Sequence, residues 1–190
     1  VDGPARRALF EERDADGSLR EVEKRFDLLH VVPPQTAPDF VAASPLASTE
    51  GWLEVEPDTL RHPQHADVFG CGDVVSAPNA KTAAAVRKQA PVIAENVLAT
   101  LDGEAPAAVY DGYGSCPLTV EAGRVVLAEF GYGGKLLPTF PLDGTRPRWS
   151  AWVLKRHLMP HIYYQLMLKG REWFATPEMR SRVPKAAAQG

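Results

Sequence analysis

The pattern of hydrophobic and polar residues predicts two β-hairpins. Residues 8–13 and the alternating run 19–26 lie on either side of the turn-rich sequence DADGS, at residues 14–18. Residues 116–121 and 124–130 have an extended pattern and are joined by Ala122-Gly123. We therefore expect one charged hairpin near the start of the chain and another in its second half.

Short apolar runs predict further strands. Residues 27–32 (DLLHVV) form a buried-type run that stops at two prolines, and residues 66–69 form a second run. Residues 51–56 alternate like a half-exposed strand, and residues 109–113 also have an extended pattern.

Spacings of three and four residues predict helices in two regions. Between residues 82 and 101 apolar side chains recur at these steps, with Gly103 as a stop signal; the predicted inward positions are Ala83, Val86, Ala90, Ile93, Val97 and Leu101. Residues 149–158 and 160–168 predict a helical pair that is separated at Pro160.

These elements predict an α/β fold followed by a smaller part of another class. Residues 1–103 carry the α/β pattern, and residues 104–176 carry an α+β pattern. Residues 177–190 are poor in large apolar side chains and predict a frayed tail.

Composition narrows the functional classes. A chain of 190 residues with 45% hydrophobic residues is long enough for a real core. The net charge of −3 gives no reason to expect nucleic-acid binding. No run approaches the roughly 18 apolar residues of a membrane-spanning helix, and no export leader is visible. The two cysteines are not in a CxxC arrangement, so we expect no metal site.

The sequence VFGCGD, at residues 68–73, predicts a cofactor edge. A short strand that ends in glycines and an acid, followed by a helix, presents backbone N–H groups and one carboxylate. Asp73 there could accept hydrogen bonds from a ribose or ribityl hydroxyl, although spacing alone favours a turn-and-cap aspartate. Lys81 lies near the helix start, where an anion-binding lysine and a solvated lysine are equally compatible with the pattern.

The two cysteines occupy different contexts. Cys116 is flanked by small residues and a proline at a strand start, which is a more accessible position than that of a core cysteine. Free cysteines are nevertheless more often buried and inert. Cys71 lies at the end of an apolar strand and predicts packing. A disulfide between them is a weakly supported alternative.

The C-terminal helices combine aromatic and leucine-rich faces with cations. Such faces are typical of helices that lie in a bilayer interface. A pair of amphipathic helices facing the core fits the pattern equally well. The cations are Arg148, Lys155, Arg156, Lys169 and Arg171.

Several motifs together resemble the C-terminal half of sulfide:quinone oxidoreductase, a flavoprotein with two dinucleotide-binding domains. The resemblance extends from about residue 8 to residue 174. The stretches that carry it are DLLHVVPP at 27–34, VFGCGD at 68–73, KTAAAVRKQ at 81–89, YDGYGSCPL at 110–118, RVVLAEF at 124–130 and PTFP at 138–141.

This resemblance implies a domain plan within a tandem Rossmann-like flavoprotein. Residues 1–26 would end an NAD-type domain, and residues 27–103 would close the FAD-binding domain. Residues 104–176 would carry the redox cysteine and the membrane and quinone surface, with 177–190 as the tail.

It also implies the chemistry. Enzymes of this family oxidise sulfide with two cysteines next to FAD and pass two electrons through the flavin to a membrane quinone. Cys116 corresponds to one of these cysteines, with the role of nucleophile and sulfur carrier. The cofactor-binding positions implied are Gly72, Asp73, Lys81 and Thr82. The positions implied for quinone and membrane are Pro117, Phe140, Trp152 and Tyr163.

The chain departs from the family pattern in two respects. It has no GxGxxG fingerprint, and the family's first redox cysteine and adenosine-binding half have no counterpart. We therefore expect a fragment that alone neither retains FAD tightly nor reduces quinone, and whose open sheet edges favour a homo-oligomer. The expected location is peripheral, on a bacterial plasma membrane. The alternatives are a fragment of a related NADH:quinone oxidoreductase and a non-catalytic membrane-binding module.

Overall fold

The computed structural model describes residues 1–139, 143–171 and 175–180. The chain divides into two compact units, residues 1–35 and residues 36–190. The predicted mixture of helices and strands is confirmed. The described strands form three two-stranded antiparallel sheets.

The first unit contains the predicted charged hairpin. Strand β1 (Arg7–Arg13) pairs antiparallel with β2 (Leu19–Arg25). The Asp16 side chain closes the turn by accepting hydrogen bonds from the amide and the hydroxyl of Ser18. Cross-strand ion pairs such as Arg7–Glu23 are exposed and contribute little stability. Turn chemistry and alternation are sufficient to specify this element.

The strand predicted at residues 27–32 is wrong. These residues have no regular secondary structure. Leu28 and Val32 keep 89% and 76% of their surface exposed. A buried strand requires neighbouring strands to accept its backbone hydrogen bonds, and the described residues of the first unit provide none for this segment.

The second unit contains one long helix, two strand pairs and a C-terminal helical stretch. Its elements are α1 (Asp39–Ala42), α2 (Ala83–Leu101), β3 (Ala108–Val109), β4 (Gly114–Glu121), β5 (Arg124–Phe130), α3 (Trp149–Val153), α4 (Met159–Gln165) and β6 (Glu178–Met179). Short 3₁₀ turns lie at Gly72–Val74, Tyr132–Gly134 and Met167–Lys169. Strands β4 and β5 form the second predicted hairpin.

The strands predicted at residues 51–56 and 66–69 form only isolated bridges. Leu53 bridges Ala47 and, in parallel, Val75, while Phe69 bridges Arg61. Strand predictions for these stretches are therefore wrong, although Val55 is buried in the core and Leu53 packs against that core. Apolar side chains indicate burial here without specifying a ladder.

Helix α2 forms where the spacing predicted it, but a different face is buried. Thr82 caps the helix, because its side chain accepts a hydrogen bond from the Ala85 amide at 3.2 Å. Predicted inward residues such as Ala90 and Leu101 are exposed. The side chains that are buried instead are those of Ala85, Gln89, Val92 and Asn96. Two of these four are polar, so apolar spacing alone could not identify the inner face.

Asn96 explains why a polar residue occupies that face. Its Nδ2 atom donates to the carbonyls of Thr59 and Ala108, both at 3.0 Å. Its Oδ1 atom accepts from the amides of Ala107 and Ala108, at 3.0 and 2.9 Å. One fully satisfied amide thus joins α2 to the loop at residue 59 and to β3.

The C-terminal helical stretch is continuous where a break was predicted. A π-helical segment, Leu154–Leu158, connects α3 directly to α4. Pro160 is the second residue of α4 and follows the π-helical segment directly. The widened π turn just before it accommodates the proline within one helical path.

Residues that were expected to begin the frayed tail return to the second unit. Strand β6 pairs antiparallel with β3, and Arg180 forms an ion pair with Asp58. Residues 181–190 of the predicted tail lie outside the described residues. The domain boundaries implied by the resemblance stay predictions.

Candidate functional site

The VFGCGD corner is closely packed around its glycines. A Cβ atom on Gly70 would lie 2.3 Å from Leu53 Cδ2 and 2.9 Å from Val75 Cγ1. Gly72 has a φ of +79°, and its amide donates to Gln89 Oε1 at 2.7 Å. The helix side chain therefore fixes the corner backbone in a conformation that favours glycine.

Asp73 is exposed and its carboxylate is available. It lies within the 3₁₀ turn Gly72–Val74, which has no side-chain cap. Its carboxylate interacts electrostatically with the ammonium of Lys81.

Lys81 is not a solvated lysine. Its ammonium donates to the Val75 carbonyl at 2.8 Å and lies 3.8 Å from the centroid of the Trp52 ring. Burial lowers the pKa of this ammonium, and the nearby Asp73 carboxylate opposes that effect. A cation and a carboxylate that interact electrostatically thus lie at the same corner.

Cys116 lies on β4 and is exposed. It is opposite Ala128 in the hairpin. Both cysteines are free thiols, so the disulfide alternative is wrong. Cys71 is half-buried, and burial raises the pKa of its thiol, as expected for a packing residue.

The loop that precedes α2, residues 76–82, lies against the beginning of β4; we name it the cofactor loop after the cofactor-binding positions predicted from the sequence at Lys81 and Thr82. A Cβ atom on Gly114 would lie 3.6 Å from Thr82 Oγ1 and 3.7 Å from the Ala80 carbonyl oxygen. The sequence gives these two motifs as separate stretches, about thirty residues apart. In the fold the strand that carries Cys116 starts against the loop that carries Lys81 and Thr82.

The helical stretch is attached to the thiol strand by a lysine. Lys155 Nζ donates to the Pro117 carbonyl at 2.7 Å and to Thr119 Oγ1 at 2.8 Å. In a strand successive side chains point to opposite faces, so Pro117 and Thr119 lie on the face opposite Cys116. The helices therefore cover one face of the hairpin and leave the thiol on the other.

The predicted quinone and membrane residues are only partly brought together. Trp152 is half-buried and packs with the guanidinium of Arg156, 5.6 Å from the ring centroid. Tyr163 is exposed, and Phe140 lies outside the described residues. Ala151 is the sole buried residue between 149 and 171, so the core-facing alternative for these helices is not supported.

A cavity of about 220 Å³ lies between β5 and the helical stretch. Its lining includes Leu127, Arg148 and Leu154 but neither Cys116 nor the predicted quinone residues. Within the described residues there is no cluster of side chains suited to a metal ion, and no helix is long and apolar enough to cross a membrane.

Sequence reasoning missed four side chains at this site: Trp52, Gln89, Glu129 and Lys155. Each acts through a contact with a segment that is distant along the chain. Buried Glu129, in the run LAEF, is the one that composition could have indicated, because a carboxylate within an apolar strand needs donors.

Comparison with known proteins finds relatives that are quinone-linked oxidoreductases by name. No protein-family model matches the chain. Its curated relatives are mitochondrial sulfide:quinone oxidoreductases, 39% identical over 86% of this chain in Mus musculus, 35% over 92% in Dictyostelium discoideum and 36% over 93% in Schizosaccharomyces pombe. The resemblance seen in the motifs is thus confirmed. The chain spans 36–39% of the length of these relatives.

One solved structure supports the fold. A chain of the cryo-EM mitochondrial ATP synthase tetramer from Tetrahymena thermophila superposes with a TM-score of 0.64 at 24% identity. The match covers 93% of this chain and 40% of that one. At this identity the likeness concerns the fold alone.

Proposed function

We propose that the chain is the C-terminal part of a flavoprotein that oxidises sulfide and reduces a membrane quinone. The observation that best supports this proposal is the close approach of Gly114 to Thr82. It places the strand that carries the exposed Cys116 against the cofactor loop. The names of the curated relatives supply sulfide and quinone as the substrates.

The corner residues fit an FAD edge. A side chain at Gly70 would meet Leu53 and Val75, and the φ of +79° at Gly72 favours glycine. The Asp73 carboxylate is exposed and available for ribityl hydroxyls, and α2 begins at Ala83, after the Thr82 cap, with N–H groups that favour electron-rich atoms. Lys81 would lie near the flavin as a cation held by Trp52. FAD, when bound, supplies two-electron transfer to the quinone.

Cys116 would act as nucleophile and sulfur carrier. Its thiol is exposed on a strand whose other face is covered by the helical stretch, so a sulfur donor reaches it from one side. Sulfide attack on a disulfide between Cys116 and a second cysteine leaves one sulfur as a persulfide and the other as a thiolate. That second cysteine would belong to the portion of the relatives that this chain does not match.

The isolated chain is expected to lack flavin and activity. It contains one side of the proposed cofactor site, so purified protein should show no flavin absorbance in stoichiometric amount and no sulfide-dependent quinone reduction. A chimaera in which the unmatched portion of the mouse relative completes the chain should recover both. Stoichiometric flavin and turnover in the isolated chain would refute the fragment proposal.

The C-terminal helices are proposed to lie on a membrane surface. Their exposed side chains include Trp149, Leu158, Tyr163, Tyr164 and Leu168. Lysine and arginine residues border them, as in helices that share the headgroup zone with anionic lipids. The relatives are mitochondrial by name. The bacterial plasma membrane expected from the sequence is therefore only a proposal for where this surface lies.

Vesicle flotation tests this surface. The chain should float with vesicles that contain anionic phospholipid, and replacing Trp149 and Tyr164 together by serine should lower the bound fraction severalfold, since exposed apolar area drives insertion. Leu101→Ser, an exposed apolar position on α2, is the matched control and should bind like the parent. Equal flotation of all three proteins would contradict the proposal that these helices lie on a membrane surface.

A further inference from the structure

We propose that Tyr110 and Glu129 are positioning residues that hold the Cys116 strand against the cofactor loop through one chain of hydrogen bonds. The chain of bonds runs from Asn79 through Tyr110 and Tyr113 to Glu129 and Thr139. The inference rests on the proposed function in one respect, namely that Cys116 is the reacting thiol.

The first half of the chain of bonds starts in the cofactor loop. Asn79 Nδ2 donates to the Tyr110 hydroxyl at 2.6 Å, and that hydroxyl donates to the Tyr113 carbonyl at 2.6 Å. Tyr110 is 2% exposed, and burial raises its pKa to about 12. The phenol therefore keeps its proton at neutral pH and both bonds keep their direction.

The second half joins the start of β4 to β5. The Tyr113 hydroxyl donates to Glu129 Oε1 at 2.7 Å, and the Thr139 amide donates to both carboxylate oxygens at 3.2 Å. The Thr139 hydroxyl forms a further short hydrogen bond with the same carboxylate. Glu129, 9% exposed, is thus satisfied by three donors in a site where an unpaired carboxylate would be costly.

The position of Glu129 relates this network to the thiol. Glu129 is opposite Ser115 in the hairpin, and the next pair along the ladder is Cys116 and Ala128. If either half of this chain of hydrogen bonds is broken, the backbone around Cys116 is held only by the hydrogen bonds between β4 and β5. Two side chains from distant segments therefore set where the thiol lies relative to Lys81 and Thr82.

A neighbouring tyrosine provides a matched control. The Tyr132 ring packs edge-on against Tyr110 with centroids 5.8 Å apart, and its hydroxyl donates to the Pro57 carbonyl. Tyr110 is buried and Tyr132 is half-buried, and each hydroxyl donates to a backbone carbonyl. Tyr132 lies outside the chain of bonds, so Tyr132→Phe removes a comparable hydroxyl without breaking it.

Hydrogen exchange of the 190-residue chain tests the proposal. Tyr110→Phe and Glu129→Ala should speed the exchange of the amides within residues 114–118, which are those of Gly114, Ser115, Cys116 and Leu118 because Pro117 has no N–H, about tenfold, which is the usual effect of losing one such bond. Exchange in α2 should stay at the parent rate. Tyr132→Phe should leave residues 114–118 unchanged, and Glu129→Gln, which keeps an acceptor for Tyr113, should recover most of the protection lost in Glu129→Ala.

Three results would overturn the proposal: parental exchange at 114–118 in both broken variants, an equal rise in α2, or an equal effect of Tyr132→Phe. Should Glu129→Ala fail to fold, Thr139→Val removes only one hydroxyl from the network and should give a smaller rise confined to the same amides. The measurement involves neither sulfide nor quinone, so its failure is distinguishable from failure of the proposed function.

Discussion

Replacement of Asn96 by alanine is expected to lower the free energy of unfolding by about 3–4 kcal/mol. Asn96 is fully buried, and its amide makes four hydrogen bonds to backbone groups of Thr59, Ala107 and Ala108. Each buried group left unpaired costs about 1–3 kcal/mol. Alanine's better helix propensity returns at most about 0.7 kcal/mol, so the loss of hydrogen bonds decides the sign.

Urea unfolding followed by circular dichroism measures this effect. Against a typical total of about 5–15 kcal/mol, the midpoint should fall strongly without a change in slope. Glu95→Ala, on the exposed side of the same helix, is the control and should shift the midpoint little. Equal midpoints for the two variants would show that Asn96 does not join α2 to the loops.

Local patterns were sufficient for the hairpins and for the extent of α2. In both hairpins the extended runs and the turn residues between them lie within one short stretch, so the sequence contains the whole signal. Thr82 and Gly103 mark the two ends of the long helix in the same local way. Its buried face was mispredicted because Gln89 and Asn96 are buried by partners that are far away in sequence.

Three other predicted strands failed for a related reason. Residues 27–32 and 66–69 are apolar runs suited to a buried sheet, and residues 51–56 alternate like a half-exposed strand, but a strand exists only with a neighbour to pair with. Leu53 finds single bridges, and residues 27–32 find none among the described residues of their unit. The apolar runs therefore indicated side chains that a sheet could bury, but not whether a sheet forms.

At the candidate site, residue type predicted which groups to examine but not their surroundings. Asp73, Lys81 and Cys116 were identified from motifs, whereas the Trp52 ring over Lys81 and the Lys155 bond to Pro117 depend on tertiary contacts. The solvated-lysine alternative for Lys81 could not be rejected until that contact was seen. The spacing of residues along the chain does not indicate which distant aromatic ring or carbonyl group a lysine will contact.

Cys116→Ser in the completed chimaera is expected to reduce sulfide-dependent quinone reduction by at least about a thousandfold, the scale of losing a catalytic nucleophile. A serine hydroxyl can neither form the disulfide that sulfide attacks nor carry a persulfide. The rate of quinone reduction with sulfide as the sole electron donor measures the effect. Flavin absorbance verifies that the variant contains bound FAD.

Cys71→Ser is the matched control, because this chain has two cysteines in different environments. Cys71 is half-buried at the VFGCGD corner, and burial raises its thiol pKa, so it stays protonated and unreactive. Its replacement should leave most of the sulfide-dependent rate. A flavin-loaded Cys116→Ser protein with unaltered rates would instead favour the related NADH:quinone class, since hydride transfer from a nicotinamide requires no thiol at this position; the same assay with NADH as donor then distinguishes the two.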